Sequence, residues 1–311
     1  GAKEGENGPK LEWDTVSLKY MNSMFKDAKS FNCPIGHWKT YVVESMSGMF
    51  EGAVKFNNGV IKGESGQKLE WVTFNVTNME FMFKGAESFN CPINYWDTSS
   101  VKNMSGMFEG AEDFNNGAKK GESGGSFLFN DTSNVRDMNG MFKGAKSFNC
   151  CVGALKTFVV KNMSGMFEGA EDFNNGAINN ECAPLVFDMT NVQDVYKMFF
   201  GTNMNFNQKL DFINVQKDIF ITNIFSLNNI QMDNCNKRAV FDLFNKPKEL
   251  EEWGNLKECK KDVCELNNFT IRTAVKKWIH YQNEVEQEYG DISDWDTSKV
   301  TDMSSLFGNT M

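Results

Sequence analysis

The sequence predicts a repeat solenoid in which each coil of about 25 residues holds one short parallel β-strand and one short helical turn, as in a leucine-rich-repeat-like β-solenoid. Three observations predict this class. The nine residues 103–111 recur unchanged at 162–170 and almost unchanged at 45–53. The Met-Phe pair of this motif returns along most of the chain, and polar, Gly-rich segments follow every second copy. A helical insert then interrupts the pattern near the C-terminus.

The spacing of the motif's phenylalanine gives the period of the repeat. From Phe25 to Phe225 the successive intervals are 25, 33, 25, 34, 25, 32 and 26 residues. Short and long units therefore alternate, and two units form a super-repeat of 57 to 59 residues. The additional residues lie in segments such as 57–67 and 115–125, whose Gly-rich polar composition is typical of surface loops.

Within one unit the spacing of the apolar residues changes. Trp96 and Thr98 follow the alternation of a strand, whereas from Val101 to Ala111 the apolar residues come every three or four positions, which favours a short amphipathic helix or a tight helical turn. Stacked units place like residues on like, so we expect a core built from rows of repeated side chains. The residues predicted to form this structural ladder are Phe50, Phe108, Phe167, Met104, Met163, Trp13 and Trp96.

Three regions divide the chain. Residues 1–245 are predicted to form the solenoid, with about eight coils in super-repeats. Residues 246–290 are predicted to be a helical segment, and residues 291–311 begin a further repeat. The apolar face of the predicted helix is formed by Ile271, Val275, Trp278, Val285 and Tyr289.

Composition limits the function classes. The formal net charge is -9, with 32 basic and 41 acidic residues, and we expect no nucleic-acid partner because phosphate binding requires clustered Lys and Arg. No stretch approaches the roughly 18 to 20 apolar residues of a membrane span. Residues 1–13 match 59–71 at most positions, so the sequence is expected to start inside a loop, as a fragment or a processed chain would.

The cysteines fall into two groups. Cys33, Cys91 and Cys150 occupy the same position in alternate coils. Residues two coils apart are separated by about 10 Å, beyond the reach of a disulfide, so these three are not expected to pair with one another. Better disulfide candidates interrupt the repeat: Cys182, Cys235, Cys259 and Cys264.

Two polar rows recur with the repeat. A threonine row could bind ice or a crystalline surface, but threonine ladders more often bridge neighbouring strands, which is the interpretation we favour. The asparagine that follows the second phenylalanine of each unit could bind a ligand, but stacked asparagines usually bond each other and the turn backbone. The two rows contain Thr15, Thr40, Thr73, Thr98, Thr132, Thr157 and Thr297, and Asn32, Asn57, Asn90, Asn115, Asn149, Asn174 and Asn207.

No catalytic, cofactor or metal site is predicted. Catalysis requires unlike residues that converge in a pocket, whereas translation of one unit gives rows of like residues. The Cys and His residues lack zinc-site spacing, and the acidic residues lack the ligand spacing of a calcium loop, so a solvated acidic face is favoured. Glycosylation sequons occur at Asn103 and Asn162 within the repeat motif, and the favoured glycosylation candidates are Asn75, Asn130 and Asn268.

The restart sequence YGDISDWDTSKVTDMSSLF at 289–307 follows the predicted helix FTIRTAVKKWIHYQNEVEQE. Together with the Asn-Met-Ser-x-Met-Phe and Ser-Phe-Asn elements, it resembles BspA-like surface proteins, whose leucine-rich-repeat-like units also occur in mycoplasma surface lipoproteins. The resemblance covers nearly the whole chain except about 226–266. It implies an extracellular or surface-anchored protein with an adhesive or structural role. In this chain, however, the helix that opens such arrays lies near the C-terminus.

The resulting prediction is a non-enzymatic extracellular structural protein, located at the cell or virion surface, that acts as a repeat module of a fibre or filament. Its expected partners are copies of itself, head to tail through the coil ends, or further repeats of a longer chain. The alternative is an adhesin-type binding module for a host or matrix protein or a glycan. A large ordered contact between copies would favour assembly, and an exposed aromatic patch would favour adhesion.

Overall fold

The computed structural model describes the repeat array almost completely and the C-terminal region in part. The described residues are 9–124, 129, 131–176, 185–202, 206, 210–225, 234–244, 247–254, 271, 275, 278, 292–295, 297, 300 and 303–304. We name the coils A to H in chain order by the phenylalanine of the motif: Phe25, Phe50, Phe83, Phe108, Phe142, Phe167, Phe199 and Phe225.

The coils stack in parallel, one on the next, around a large aromatic core. One row of isolated parallel bridges joins all eight coils, and a further bridge joins Phe199 to Phe225. The residues of the row are Tyr20, Ser45, Asn78, Asn103, Asp137, Asn162, Asp194 and Phe220. The chain is therefore a repeat fold whose contacts are mostly between residues far apart in sequence, as the periodicity predicts.

The segment expected to be helical is an arc of tight turns. In coil D the N–H groups of Met107, Glu109 and Ala111 donate to carbonyls three residues earlier, at 3.0 to 3.2 Å. The N–H groups between them point to the next coil: those of 104, 106, 108 and 110 donate to the carbonyls of 137, 139, 141 and 143, at 2.7 to 3.0 Å. The arc is thus half turn and half ladder, since alternate amides serve the two purposes.

Left-handed residues explain why the arc is not a helix. Gly106 and Gly110 have φ angles of 57° and 71°, and a left-handed residue at every fourth position ends each helical turn before a second can form. The position of Gly106 is occupied in other coils by Ser23, Phe81, Lys197 and Asn223, all with positive φ. Apolar residues at intervals of three and four positions therefore occur both in helices and in this run of turns.

Regular strands are also rarer than predicted. Within the described residues only β1 (Leu185–Asp188) and β2 (Leu210–Ile213) are strands, and they pair in parallel. Elsewhere the Trp-x-Thr segment is bonded through the threonine hydroxyl, as where Thr98 Oγ1 donates to the Asp131 carbonyl at 2.6 Å. Coil G carries Met189 at the threonine position, and there the backbone itself supplies the ladder to coil H.

Helices cover the far end of the stack. Helix α1 (Asn234–Leu243) lies inside the range 1–245 that was predicted as solenoid, and α2 (Glu251–Gly254) follows a short 3-10 turn. Phe244 meets Phe212 edge-on at 5.8 Å between ring centroids, and Trp253 lies 5.4 Å from Phe225. Coil H therefore has its outer side packed by the chain's own residues.

The region predicted as a second helix is described at three positions. Ile271, Val275 and Trp278 have helical backbone, and the first two are buried. The other residues of its predicted apolar face, Val285 and Tyr289, lie outside the described residues. The spacing of four and three residues is thus consistent with one buried helical face at these positions.

Long loops after coils B and D are anchored by asparagines. Asn58, with a φ of 50°, accepts from the N–H groups of Ile35 and Gly36 and donates to the carbonyls of Gln67 and Lys68. Asn116 and Asn175 repeat the first part of this arrangement, bonding the N–H groups of residues 93 and 152. The alternation of short and long units thus reflects loops that are fixed to the coil before them.

Candidate functional site

The predicted ladder residues lie in the core, with one exception. Phe50, Phe108 and Phe167 are fully buried in a row with the other motif phenylalanines, at 5.4 to 5.7 Å between successive ring centroids of the pairs described. Met104, Met163 and Trp96 are fully buried as well. Trp13 is 53% exposed, although it stacks on Trp38 at 5.7 Å.

Trp13 belongs to the first coil that the structure describes, so only one described coil packs on it. Its counterparts Trp38, Trp71 and Trp96 have exposures of 2%, 3% and 0%, since each has a coil on both sides. Tyr20 in the same coil is 60% exposed. Coil A therefore exposes a tryptophan that coils B to D bury, whereas the position of Tyr20 is polar in coils B to G.

The backbone of this outer face includes a row of hydrogen-bond acceptors in the arc, flanked by the amides of Lys19 and Ser30, whose counterparts Glu44 and Lys55 donate to the coil before them. In coil B the carbonyls of 45, 47, 49 and 51 accept from coil A. The matching carbonyls of coil A belong to Tyr20, Asn22, Met24 and Lys26, and within the described part of the chain no N–H group donates to them. An unpaired row of this kind is a template for another strand or coil.

The C-terminal repeat shares two turns with the inner coils. The N–H of Trp295 donates to the Ile292 carbonyl at 3.5 Å and that of Val300 to Thr297 at 2.9 Å, the same turns as Trp96 to Ile93 and Val101 to Thr98. Met303 occupies the position of Met104 but is 49% exposed. At two other apolar positions of this repeat, Trp295 and Val300 are half-buried.

One side of the first coils carries an apolar row. The residue after the ladder threonine is Val16 in coil A, Tyr41 in coil B and Phe74 in coil C, with exposures of 42%, 39% and 45%. The same position is polar in coils D and E, where it is Ser99 and Ser133. The position is apolar again in coil F, where Phe158 is 42% exposed, so the exposed apolar side chains are contiguous in coils A to C and recur in coil F.

The threonine and asparagine rows are internal. Thr15, Thr40, Thr73, Thr98, Thr132 and Thr157 are at most 2% exposed, and each hydroxyl donates to a carbonyl of the next coil. In the asparagine row each Oδ1 accepts from the backbone N–H of the next asparagine, from Asn32 through to Asn174. The threonine hydroxyls thus bridge neighbouring coils as expected, and in these bonds the asparagine side chains pair with backbone groups rather than with one another. Thr297 is half-buried, and Asn207 lies outside the described part.

The cysteines agree with the predicted lack of pairing among the repeat thiols. Cys33, Cys91 and Cys150 are free, and burial raises the pKa of the Cys91 and Cys150 thiols. Cys151 forms a disulfide with a cysteine whose side chain lies outside the described residues. The sequence interpretation missed Cys151, although a signal exists: the other two Asn-Cys sites continue with Pro34 and Pro92.

The favoured glycosylation candidates are described at one position. Asn75 is exposed, and its Nδ2 donates to the Tyr41 carbonyl at 2.7 Å. Asn130 and Asn268 lie outside the described residues. Asn103 and Asn162 are half-buried in the bridge row and accept from the N–H groups of Ser105 and Ser164. Their side chains are therefore already engaged within the arc.

On the side of the long loops, two adjacent acidic residues have pKa values that are shifted in opposite directions. Burial raises the pKa of Asp113 above its ordinary 3.8, and its Oδ2 has no hydrogen-bond partner. The neighbouring Glu112 has its pKa lowered below 4.5, first by the hydrogen bond from Lys146 at 2.7 Å. Among the described residues there is no group of three or more His, Cys, Asp or Glu that could hold a metal ion.

A surface groove of about 660 Å³ lies between coils G and H. It opens where coil H needs six residues to pass from 214 to 220, against the five that coil G uses from 189 to 194. Its lining is mixed, with Asn191, Gln193, Gln216 and Asp218 beside Val215 and Ile219.

The described helices include none long and apolar enough to cross a membrane.

Parallel coils, side-chain rows and alternating ladder amides define the class as a repeat protein of stacked coils. A family model described as "Mycoplasma protein of unknown function, DUF285" matches residues 7–67, 62–121, 126–237 and 264–311. The chain belongs to this family, and carries its unit four times. Neither any curated protein nor any solved structure matches the chain significantly.

Proposed function

We propose that this chain is a non-enzymatic structural module of a surface fibre or filament, of the BspA-like, leucine-rich-repeat-like kind, that assembles through the faces of its end coils. The observation that carries the proposal is the outer face of coil A, where Trp13 is 53% exposed and four carbonyls lack N–H donors among the described residues. Every inner coil buries the same groups against a neighbour.

Two further features support a structural role outside the cell. The repeated units produce rows of like side chains rather than the convergence of unlike residues that catalysis requires. The disulfide of Cys151 fits an oxidising compartment, such as a cell surface or a virion exterior. The first argument favours a scaffold over an enzyme, and the second favours a location outside the cell.

Sedimentation velocity at increasing protein concentration tests the assembly. The wild-type chain should form species larger than one copy, and Trp13→Lys should shift the distribution back to the monomer, because a charge on the open face opposes docking. Thr190→Lys, an exposed position on coil G, is the matched control. A wild-type chain that stays monomeric up to high micromolar concentration contradicts the proposal.

The second candidate is an adhesin-type module for a host or matrix protein or a glycan. The exposed row Val16, Tyr41 and Phe74 favours it, because contiguous exposed apolar side chains mark interaction surfaces. The double variant Tyr41→Ser, Phe74→Ser should then lose binding to surfaces coated with matrix proteins or glycans and keep its sedimentation profile. Unchanged retention on every surface that binds the wild type would exclude this face as the adhesive one.

A further inference from the structure

Three buried Asn-Gly pairs lie where coils B, D and F pass into their long loops. The pairs are Asn58-Gly59, Asn116-Gly117 and Asn175-Gly176. Each asparagine is at most 8% exposed and has a φ of 50° to 52°. Asparagine is chemically labile, and a following glycine favours its deamidation because no side chain hinders the attacking backbone nitrogen.

Deamidation makes two demands on an Asn-Gly pair. The glycine nitrogen forms a bond to Cγ of the asparagine and gives up its proton, and the Cγ–Nδ2 bond breaks and releases ammonia. Water then opens the succinimide ring to aspartate or isoaspartate. The reaction therefore needs a glycine N–H that is free to lose its proton and an asparagine side chain that is free to turn toward it.

The asparagine row occupies the glycine nitrogen. The N–H of Gly59 donates to Asn32 Oδ1 at 3.0 Å, and that of Gly117 donates to Asn90 Oδ1 at 2.9 Å. The N–H of Gly176 donates to the corresponding asparagine of coil E at 2.9 Å. A nitrogen held in this way reacts only when the loop opens, so the rate of deamidation should follow the open fraction.

We propose that Asn58 and Asn116 are deamidation sites that the asparagine row keeps closed in the folded array, and that deamidation keeps the long loop open after it has opened. Asn58 Nδ2 donates to the carbonyls of Gln67 and Lys68 at 3.1 and 3.3 Å. An aspartate has no donor for these carbonyls and would bring a charge into a buried position beside them. The loop could then no longer be anchored.

Each of the two loops covers a thiol that reports its opening. Cys91 is fully buried and donates to Asn57 Oδ1 at 3.6 Å, and the backbone of Gly66 lies so close to its sulfur that no Cβ would fit. Gly124 of the next long loop covers Cys150 in the same way. A covered thiol is inert toward alkylating reagents, so its labelling measures the opening of its own loop.

Crossed variants test the closed state. Peptide mapping by mass spectrometry should show Asn58 and Asn116 reacting at least about ten times more slowly in the folded wild type than in guanidinium chloride. Asn32→Ala should accelerate deamidation of Asn58 but not of Asn116, and Asn90→Ala should do the reverse, because each variant removes one glycine acceptor. Equal rates in the folded and unfolded chain, or acceleration of both sites in each variant, would overturn the role of the row.

Asn58→Asp tests the consequence of the modification. In this variant iodoacetamide should alkylate Cys91 at least about ten times faster than in the wild type, while Cys150, beneath the unchanged loop, should react at the wild-type rate. Unchanged alkylation of Cys91 would show that the loop closes over an aspartate and would contradict the proposed opening. Equal acceleration at both thiols would point to general unfolding and contradict it as well.

Discussion

At the residue scale, the position of a side chain in the stack decides its environment. Trp13 and Trp96 occupy the same place in the repeat, yet one is half-exposed and the other fully buried. The sequence predicted both as ladder residues, because a repeat pattern shows which residues share a row but not how many coils lie on each side. The burial of a ladder residue such as Trp13 therefore depends on whether a coil packs on each side of it.

The phenylalanine row should be the main source of stability. Phe108 is fully buried and lies 4.0 Å from Phe114 and 5.7 Å from Phe83 between ring centroids. Phe108→Ala should lower the free energy of unfolding by about 3 to 5 kcal/mol, because it removes contacts and leaves a cavity. Denaturant unfolding provides the measurement.

The control for that change is Phe158→Ala. Phe158 is 42% exposed, and a surface substitution of this kind should alter the free energy of unfolding by no more than about 0.5 kcal/mol. Equal losses in the two variants would show that the row of motif phenylalanines has no special role.

Asp113 should make stability depend on pH in a known direction. Its pKa is raised in the folded chain by burial, so folding weakens as pH rises through that value. Asp113→Asn should therefore raise the melting temperature at pH 7, and the difference should shrink as pH falls below the ordinary pKa of 3.8. Calorimetry at pH 7 and pH 3 measures it.

Glu112 provides the opposite case on the adjacent residue. Its pKa is lowered chiefly by the hydrogen bond from Lys146, so the ionised form stabilises the fold and the benefit is lost as pH falls below 4.5. Glu112→Gln should lower the melting temperature slightly at pH 7, and the difference should shrink as pH falls through the lowered pKa. The same sign for both variants would contradict this assignment.

At the element scale, a run of tight turns stands where the sequence predicted a short helical segment, and among the described residues the predicted strand is regular only in coils G and H. The period, the super-repeat and the buried rows follow from residue identity and spacing alone. The backbone form could not be predicted, because turns that repeat every four residues give the same apolar spacing as a helix. Gly106 and Gly110 hold the relevant signal, since both need a left-handed backbone.

The C-terminal part shows a similar limit. Helix α1 lies where solenoid was expected, because residues 234–243 follow a decayed repeat and no turn signal separated them from it. The Cys151 disulfide was missed because that residue has no counterpart in other coils. Features that break a repeat are the ones that periodicity does not predict.

The two glycines of the arc should differ in their tolerance of alanine. At Gly110 an added Cβ meets the Gly85 backbone at 3.7 Å, an ordinary contact, so Gly110→Ala should cost about 1 to 2 kcal/mol from the positive φ. At Gly106 the added Cβ lies 2.4 Å from the Phe81 ring, so Gly106→Ala should cost more. Denaturant unfolding of both variants measures the difference.

A double-mutant cycle isolates the contact with the ring. Phe81→Ala should restore at least about 0.5 kcal/mol in the Gly106→Ala background and nothing in the Gly110→Ala background, because only the first change meets the ring. Additive losses of unfolding free energy in both backgrounds would mean that the Phe81 ring moves away from the added Cβ without a loss of stability.

At the scale of the whole molecule, the array has two unlike ends. The chain's own helices pack on coil H, through Phe244 and Trp253, whereas coil A leaves Trp13 and its row of carbonyls open. The repeat after the helices shows coil turns with an exposed Met303. The exposed outer side of coil A is the feature on which the proposed assembly rests.

Electron microscopy of the purified chain at assembling concentration tests this account most directly. The account predicts elongated particles with a regular axial repeat of one copy, and their loss in Trp13→Lys. Dispersed single copies of the wild type, or closed two-fold pairs, would contradict it.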